Sequence, residues 1–323
     1  MAHALDFKAD GKACMFYVKK TPWHGLGEQV SDSISISDGM KAAGMDYEVE
    51  LVETVTVTGL PVPKMAVVRK DRNVVLGAVG PNYRPLQNQE AFDFFQPFLD
   101  AGECKLHTAG VLHEGRKIWV LAEINRPNSE IVKGDEISKF VLLSNSHDGT
   151  TSIRVGYTPI RVVCANTMAQ AHSKHSGSSL IRIRHSRSSK ISLENLRDTM
   201  DVINGVFEAT AEQYRFLASR DFNAGDVRSY VKTLLGVESE KEEDISTRTQ
   251  NIITDIMERI DGPMQDMPGV RGTWWAAYNG VNERLNYAVG RSDDNRMDSL
   301  WFGQNGTLNE RALSLAVEYA NAV

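Results

Sequence analysis

Residues 137–168, ISKFVLLSNSHDGTTSIRVGYTPIRVVCANTM, constrain the fold of this chain more than any other stretch. Two apolar runs are separated there by His147-Asp148-Gly149. An Asp-Gly step between apolar runs is the strongest short-range signal for a β-hairpin. We therefore predict two antiparallel strands at the centre of the chain, and the neighbouring elements must pack around them.

The residues before this hairpin also predict strands. YEVELVETVTV (47–57) alternates apolar and polar residues, GLPVP (59–63) is typical of a turn, and KMAVVRKDRNVVLGAVG predicts two strands around residues 70–73. KLHTAGVLHEGRKIWVLAEI predicts another pair that turns at Glu114-Gly115. NQEAFDFFQPFLDAG has phenylalanines at helical spacing and predicts a short helix that Pro97 interrupts.

The composition changes after Met168. Residues 171–191 are rich in Ser, His and basic residues and predict a loop, whereas the rest of the chain is helical in pattern. A long amphipathic helix is indicated by apolar residues at helical spacing: Leu196, Met200, Ile203, Phe207, Tyr214 and Leu217. We predict an α+β fold, with a β-rich core domain over 1–170, a basic loop over 171–191 and a helical region over 192–323. The β-rich part should be antiparallel.

The chain lacks the marks of a membrane or secreted protein. Among its 323 residues there is no apolar run long enough to span a bilayer and no signal-peptide core near the start, so we expect a cytoplasmic protein that does not contact membranes. Cys14, Cys104 and Cys164 are widely spaced and odd in number, which predicts reduced, structural thiols.

Positive charge is concentrated in one window. The whole chain carries a net charge of -6, but residues 151–200 hold eight Lys and Arg against two acidic residues. Such a local patch can bind phosphate although the molecule as a whole is acidic. The candidate phosphate-binding residues are Arg154, Arg161, Lys174, Arg182, Arg184, Arg187 and Lys190.

The geometry of an extended chain refines this hypothesis. Arg182 and Arg184 should project to the same side if RIRHSR is extended, whereas Arg154 and Arg161 should lie on opposite faces of one strand. A base-stacking surface would need aromatic side chains, for which Tyr157, and less directly Tyr83, are the candidates.

Catalytic alternatives have weaker support. Cys164 with a histidine and Asp148 supplies the residue types of a nucleophilic site, but Cys164 lies in an apolar run. A metal site could be formed by His172 and His175, which are three residues apart, with help from further candidates: His147, Asp148, Cys164 and His185. The chain contains neither a Walker-type nor a dinucleotide-binding glycine motif. We expect a protein that is not an enzyme and that needs no metal or cofactor.

Several segments resemble one family. LLSNSHDGTTSIRVGYTPIRVVCANTM is similar to the signature of the phage/plasmid-like protein family, which is defined by a domain of unknown function, DUF932. Other landmarks of the family resemble further stretches of this chain: TPWHGLG, VGPNYRPLQNQEAFDFF, and GTWWAAYNGVNERLNYAVGR with NERALSLA. This resemblance implies a mobile-element protein without an established cofactor. The order of strands and helix before the basic segment also resembles that of ring-forming single-strand annealing proteins, which is an analogy of element order alone.

We therefore predict a phage or plasmid protein that binds single-stranded nucleic acid, with DNA preferred, as a homo-oligomer that promotes annealing in recombination. The alternative is an interaction protein that blocks a host factor, such as a defence system, through its acidic segment Glu238–Asp244 or its basic loop. A metal-dependent enzyme built on His147, Asp148, His172 and His175 is the third hypothesis.

Overall fold

The computed structural model describes residues 5–19, 25–161, 166–167, 180–189, 192–193, 200–237, 244–289, 299 and 303–322. The strands in chain order are β1 (Met15–Val18), β2 (Glu28–Val30), β3 (Val49–Val55), β4 (Pro61–Arg69), β5 (Val74–Val79), β6 (Cys104–Leu112), β7 (Lys117–Ile124), β8 (Ser129–Val132), β9 (Asp135–Ser146), β10 (Ile153–Arg161), β11 (Asn166–Thr167) and β12 (Leu180–Ile183). The helices are α1 (Ile36–Ala42), α2 (Asn88–Asp93), α3 (Gln96–Asp100), α4 (Met200–Ala218), α5 (Ala224–Leu234), α6 (Thr247–Ile260), α7 (Trp274–Tyr287) and α8 (Gln304–Ala322).

The strands form two sheets. The large sheet has the order β11-β10-β9-β7-β6-β1-β2, with β12 also paired to β10 and β8 paired to β9. The small sheet has the order β3-β4-β5. All pairs are antiparallel except β1–β2, which is parallel. The central hairpin is β9–β10, which turns at Asp148, where Oδ1 accepts hydrogen bonds from the backbone N–H and the hydroxyl of Thr150.

The predicted fold class is confirmed. Strands and short helices occupy the N-terminal part, and helices occupy the C-terminal part. The parallel β1–β2 pair departs from the predicted all-antiparallel arrangement. The predicted loop over 171–191 is wrong in part, because Leu180–Ile183 is a strand that β10 holds in register. The predicted boundaries at residues 170 and 191 lie outside the described residues.

The small sheet packs on one face of the large sheet. Its inward side chains, among them Val67 and Leu76, join a core that also holds α2. Gly77 of β5 lies against the backbone of the β9–β10 turn so closely that a Cβ there would be 2.7 Å from the Cα of Asp148. At the β3 edge, the Gln87 side chain accepts a hydrogen bond from the N–H of Val49 (3.1 Å) and donates one to its carbonyl oxygen (2.9 Å). The Gln87 amide therefore takes the place of a neighbouring strand at that point.

The helical part is built around α7. Thr273 caps its N-terminus, and Trp274, Trp275 and Tyr278 are fully buried within it. Burying side chains of this size contributes at least about 2 kcal/mol each. A Cβ on Gly280 would be 2.8 Å from the backbone nitrogen of Ile260, so glycine allows α7 to lie against α6. No helix among residues that the structure describes combines the length and the hydropathy needed to cross a bilayer.

The helical part is attached to the large sheet at β8 and β9. The indole N–H of Trp275 donates to Asp135 Oδ2 (2.8 Å), and Asp135 is fully buried. Lys139 donates to Glu208 of α4 (3.0 Å), and its ammonium lies 4.2 Å from the ring centroid of Phe207. These polar contacts accompany apolar packing, because Ile131 of β8 and Ile137 of β9 belong to the core of the helical part.

Arg69 at the end of β4 connects three separate segments. Its guanidinium donates to Asp6 Oδ2 (2.6 Å) and to the carbonyl oxygen of Glu114 (3.1 Å), and it makes a bidentate pair with Asp71 (2.8 and 3.1 Å). It also lies 3.8 Å from the ring centroid of Tyr47. Asp6 comes from the N-terminal segment and Glu114 from the β6–β7 turn, where Glu114 has a positive φ of 62°. Because Arg69 and Asp6 are both buried, this pair is screened little by water.

We expect Arg69→Met to destabilise the protein by about 3 kcal/mol, because the buried Asp6 carboxylate then loses its buried partner and keeps the more exposed Arg72. Urea unfolding followed by circular dichroism would measure the change in the free energy of unfolding. Lys70→Met is the matched control, since Lys70 pairs with Glu48 in full solvent exposure and should matter much less. Equal effects of the two substitutions would contradict the role assigned to Arg69.

Candidate nucleic-acid interface

Two arginines lie directly opposite each other on neighbouring strands. The register of β10 places Arg154 between Ser144 of β9 and Arg182 of β12. Paired residues project to the same face of a sheet, so both guanidinium groups extend from one face. Trp119 of β7 continues the row beyond Ser144. The row therefore passes from a buried tryptophan in the core to an exposed arginine on the outer strand.

The Arg154–Arg182 pair places two like charges side by side. Arg154 is half-buried, and this burial, together with the charge of Arg182, lowers its pKa. Like charges directly opposite on paired strands are destabilising. Each arginine could donate charge-assisted hydrogen bonds to an anion bound between them.

Ser144 adds a polar group beside this pair. Its side chain is fully buried, and its Oγ has no hydrogen-bond partner among the described residues. A buried hydroxyl without a partner is uncommon and calls for an explanation. Since Ser144 pairs with Arg154 in register, its hydroxyl belongs to the same site as the two guanidinium groups.

The segment after β12 carries two more arginines and is held by His185. Arg184 and Arg187 are exposed. The His185 ring stacks on Tyr83 with centroids 4.5 Å apart, and its Nε2 donates to the carbonyl oxygen of Thr151 (3.3 Å). The N–H of Arg84 donates to the carbonyl oxygen of His185 (3.2 Å). The basic segment is therefore fixed to the body of the protein between two exposed arginines.

Tyr83 has a structural role in this arrangement. Its hydroxyl donates to the carbonyl oxygen of Ser146 (2.9 Å), and burial raises its pKa above the ordinary value for tyrosine. Because His185 already covers one side of the ring, Tyr83 offers a nucleic-acid base only part of its surface. The contacts of Tyr83 and Arg84 with His185 could not be predicted from the sequence, because the two segments are about a hundred residues apart.

The structure describes the remaining candidate nucleic-acid-binding residues only in part. Tyr157 and Arg161 belong to β10 by their backbone, while their side chains lie outside the description. Lys174 and Lys190 lie outside the described residues altogether. The structure thus brings together Arg154 and Arg182 and places Arg184 and Arg187 directly after them.

The metal-site alternative receives no support from the described residues. Within those residues, no group of three or more His, Cys, Asp or Glu side chains could hold a metal ion. His147 is fully buried, its Nε2 donates to Asn88 Oδ1 (3.0 Å), and burial lowers its pKa to about 3. His172, His175 and Cys164 lie outside the described residues, so the nucleophilic hypothesis for Cys164 is untested.

The other two cysteines are structural. Cys14 and Cys104 are free and buried. Burial raises the pKa of the Cys14 thiol to about 11 and that of Cys104 to about 12. Both thiols are therefore protonated at neutral pH and poor nucleophiles, as structural thiols should be.

Comparison with known proteins gives one match. A family model described as "Domain of unknown function (DUF932)" matches residues 75–301, which include the β9–β10 hairpin, the arginine pair and α7. No curated protein and no solved structure matches the chain.

We expect Arg182→Gln to stabilise the protein by about 0.5 kcal/mol at low salt, because it removes one of two like charges that lie directly opposite. Urea unfolding would measure the change. Arg187→Gln is the control, since Arg187 lies in a turn and faces no arginine across a strand. A less stable Arg182→Gln variant would contradict the repulsion that we assign to the pair.

We also expect stability to fall as the pH drops from about 6.5 toward 3. In this range His147 takes up a proton in the unfolded chain but not in the folded protein, whose His147 pKa is lowered to about 3. His147→Gln should reduce this slope by up to about 1.4 kcal/mol per pH unit. Urea midpoints measured across the pH range would test it, and an unchanged slope would count against the burial of a neutral His147.

His107 provides the matched comparison for that experiment. It is half-buried against Phe140, and burial lowers its pKa to about 4. His107→Gln should therefore reduce the dependence of the free energy of unfolding on pH by a similar amount. The double variant should lose both contributions, because His107 lies on β6 and His147 in the β9–β10 turn, and neither perturbs the pKa of the other.

Proposed function

The chain belongs to the family defined by the domain of unknown function DUF932, and we propose that it binds single-stranded nucleic acid through Arg154, Arg182, Arg184 and Arg187. The observation that carries the proposal is the direct register pairing of Arg154 with Arg182. Two guanidinium groups side by side on one face of the sheet can each donate charge-assisted hydrogen bonds to the same phosphate.

The surroundings of the pair support a phosphate ligand. Arg184 and Arg187 are exposed and extend the positive charge along the segment that follows Arg182. A chain of net charge -6 repels nucleic acid at a distance, so binding depends on this local surface. Guanidinium groups suit phosphate because they donate two parallel hydrogen bonds.

A single strand is favoured over a duplex by the elements that carry the arginines. They lie on two paired strands of the large sheet, β10 and β12, and on the turn after β12, and not on a projecting helix or two-stranded ribbon that could enter a major groove. A basic strip of this kind follows a flexible phosphate backbone. DNA is the proposed ligand, and no cofactor is required for binding.

In this role the protein would work as a homo-oligomer in the cytoplasm. Several copies on one strand would multiply a modest affinity, since each further contact becomes intramolecular. Annealing of complementary strands during recombination of a phage or plasmid is the process we propose. This setting comes from the resemblance of residues 142–168 to the phage/plasmid-like family.

The test is binding of a fluorescent single-stranded oligonucleotide, measured by anisotropy at several salt concentrations. If about four phosphates are contacted, the logarithm of the association constant should fall with the logarithm of salt at a slope of roughly -3. The triple variant Arg182→Glu, Arg184→Glu and Arg187→Glu should lose binding at least about a hundredfold, because three attractive contacts become repulsive.

A second triple variant controls for net charge. This variant changes the net charge by the same amount as the first one, at exposed positions away from β12: Arg126→Glu, Arg220→Glu and Arg248→Glu. It should bind the oligonucleotide almost as well as the wild type does. If both variants lose binding equally, the change in net charge alone explains the loss, and the proposed binding surface is wrong. If the wild type binds no oligonucleotide at low salt but co-purifies with a host protein, the interaction-protein alternative is favoured.

A further inference from the structure

Exposed apolar side chains are concentrated on the small sheet. Six large apolar residues are exposed among the described residues, and five of them belong to this sheet and its β3–β4 turn: Val52, Val55, Val57, Leu60 and Val75. The sixth, Ile181, lies on β12. A concentration of exposed apolar side chains on one sheet indicates a contact site.

The outer face of the small sheet is ordered as well as apolar. Strand register places Val52, Ala66 and Ala78 in one row across the three strands, and Val75 lies in the next row beside Val68. Val52 is 42% exposed and Val75 is 56% exposed. The opposite face of this sheet is buried in the core, so only the outer face is available for a partner.

Charges flank this apolar row on both sides. Alternation along β3 places Glu50 on the outer face at one end, next to the Glu48–Lys70 ion pair. Lys64 lies two residues before Ala66 on β4, at the register shift opposite Glu53 and Thr54, and marks the other end. Glu48 forms an ion pair with Lys70 (2.8 Å), which leaves the acidic end with the net charge of Glu50. The face is therefore negative at one end, apolar in the middle and positive at the other end.

We propose that two copies of this chain associate by packing these outer faces against each other around a two-fold axis through the Val52–Ala66–Ala78 row. A two-fold rotation brings Glu50 of each copy opposite Lys64 of the other copy, so both ends are paired at once. It also buries Val52 and Val75 of both copies between two sheets. An isologous contact of this kind closes on itself and gives a dimer.

The charge pattern favours a second copy over a lipid surface. The ten residues 54–63 of the projecting turn carry no charge, and the flanking residues carry both signs. An anionic membrane would be attracted by a basic cluster, which this face does not have. A surface with one acidic and one basic end is complementary to itself when it is turned by half a rotation.

Sedimentation equilibrium across a range of concentrations tests the proposal. The wild type should approach twice the chain mass of 35.9 kDa. Glu50→Lys and Lys64→Glu should each weaken association at least about tenfold, because each creates two like-charge contacts. An equimolar mixture of the two variants should restore the dimer, since one variant then supplies both acidic groups and the other both basic groups.

Two further variants separate this contact from general effects. Val52→Asp should dissociate the dimer and should not be rescued by mixing, because Val52 lies near the axis and meets its own copy. Lys133→Glu changes charge in the exposed β8–β9 turn and should leave the dimer intact. Circular dichroism confirms that each variant is folded. A wild type that stays at the mass of one chain, or a mixture that fails to restore the dimer, would overturn the proposal.

Discussion

The joining of the two sheets depends on the guanidinium group of Arg69. It contacts the N-terminal segment at Asp6, the β4–β5 turn at Asp71 and the β6–β7 turn at Glu114. The turn adopts a left-handed backbone at Glu114, which costs free energy unless the surroundings hold it. The hydrogen bond from Arg69 to the Glu114 carbonyl and the one from Tyr47 to the next carbonyl supply that hold.

This connection reaches the proposed interface through a short chain of contacts. Arg69 positions β4, β4 pairs with β5, and the chain leaving β5 carries Tyr83 and Arg84. These two residues hold His185, which directly follows the strand of Arg182. A buried ion pair on one sheet and an exposed basic strand on the other are therefore parts of one framework. The interface is a product of tertiary packing as much as of local charge.

The sequence predicts the elements whose signals are local. The Asp-Gly turn gave the β9–β10 hairpin, and Pro97 marked the break between α2 and α3. It did not predict β1, because all four residues of that strand are buried and no alternation is visible. The arginine-rich composition of the interface could be predicted, but the pairing of Arg154 with Arg182 could not. That pairing is set by the register of strands separated in sequence, which no local pattern encodes.

The Gln87 amide at the β3 edge has a consequence for how the small sheet can grow. An open edge strand invites another strand to extend the sheet, and repeated extension leads to fibres. Gln87 occupies both backbone hydrogen-bonding groups of Val49, so an added strand would have to displace it. Growth along the hydrogen-bonding direction is thereby opposed at this edge, while the apolar outer face stays open. The small sheet can therefore associate through its outer face, while the addition of further strands at the β3 edge is opposed.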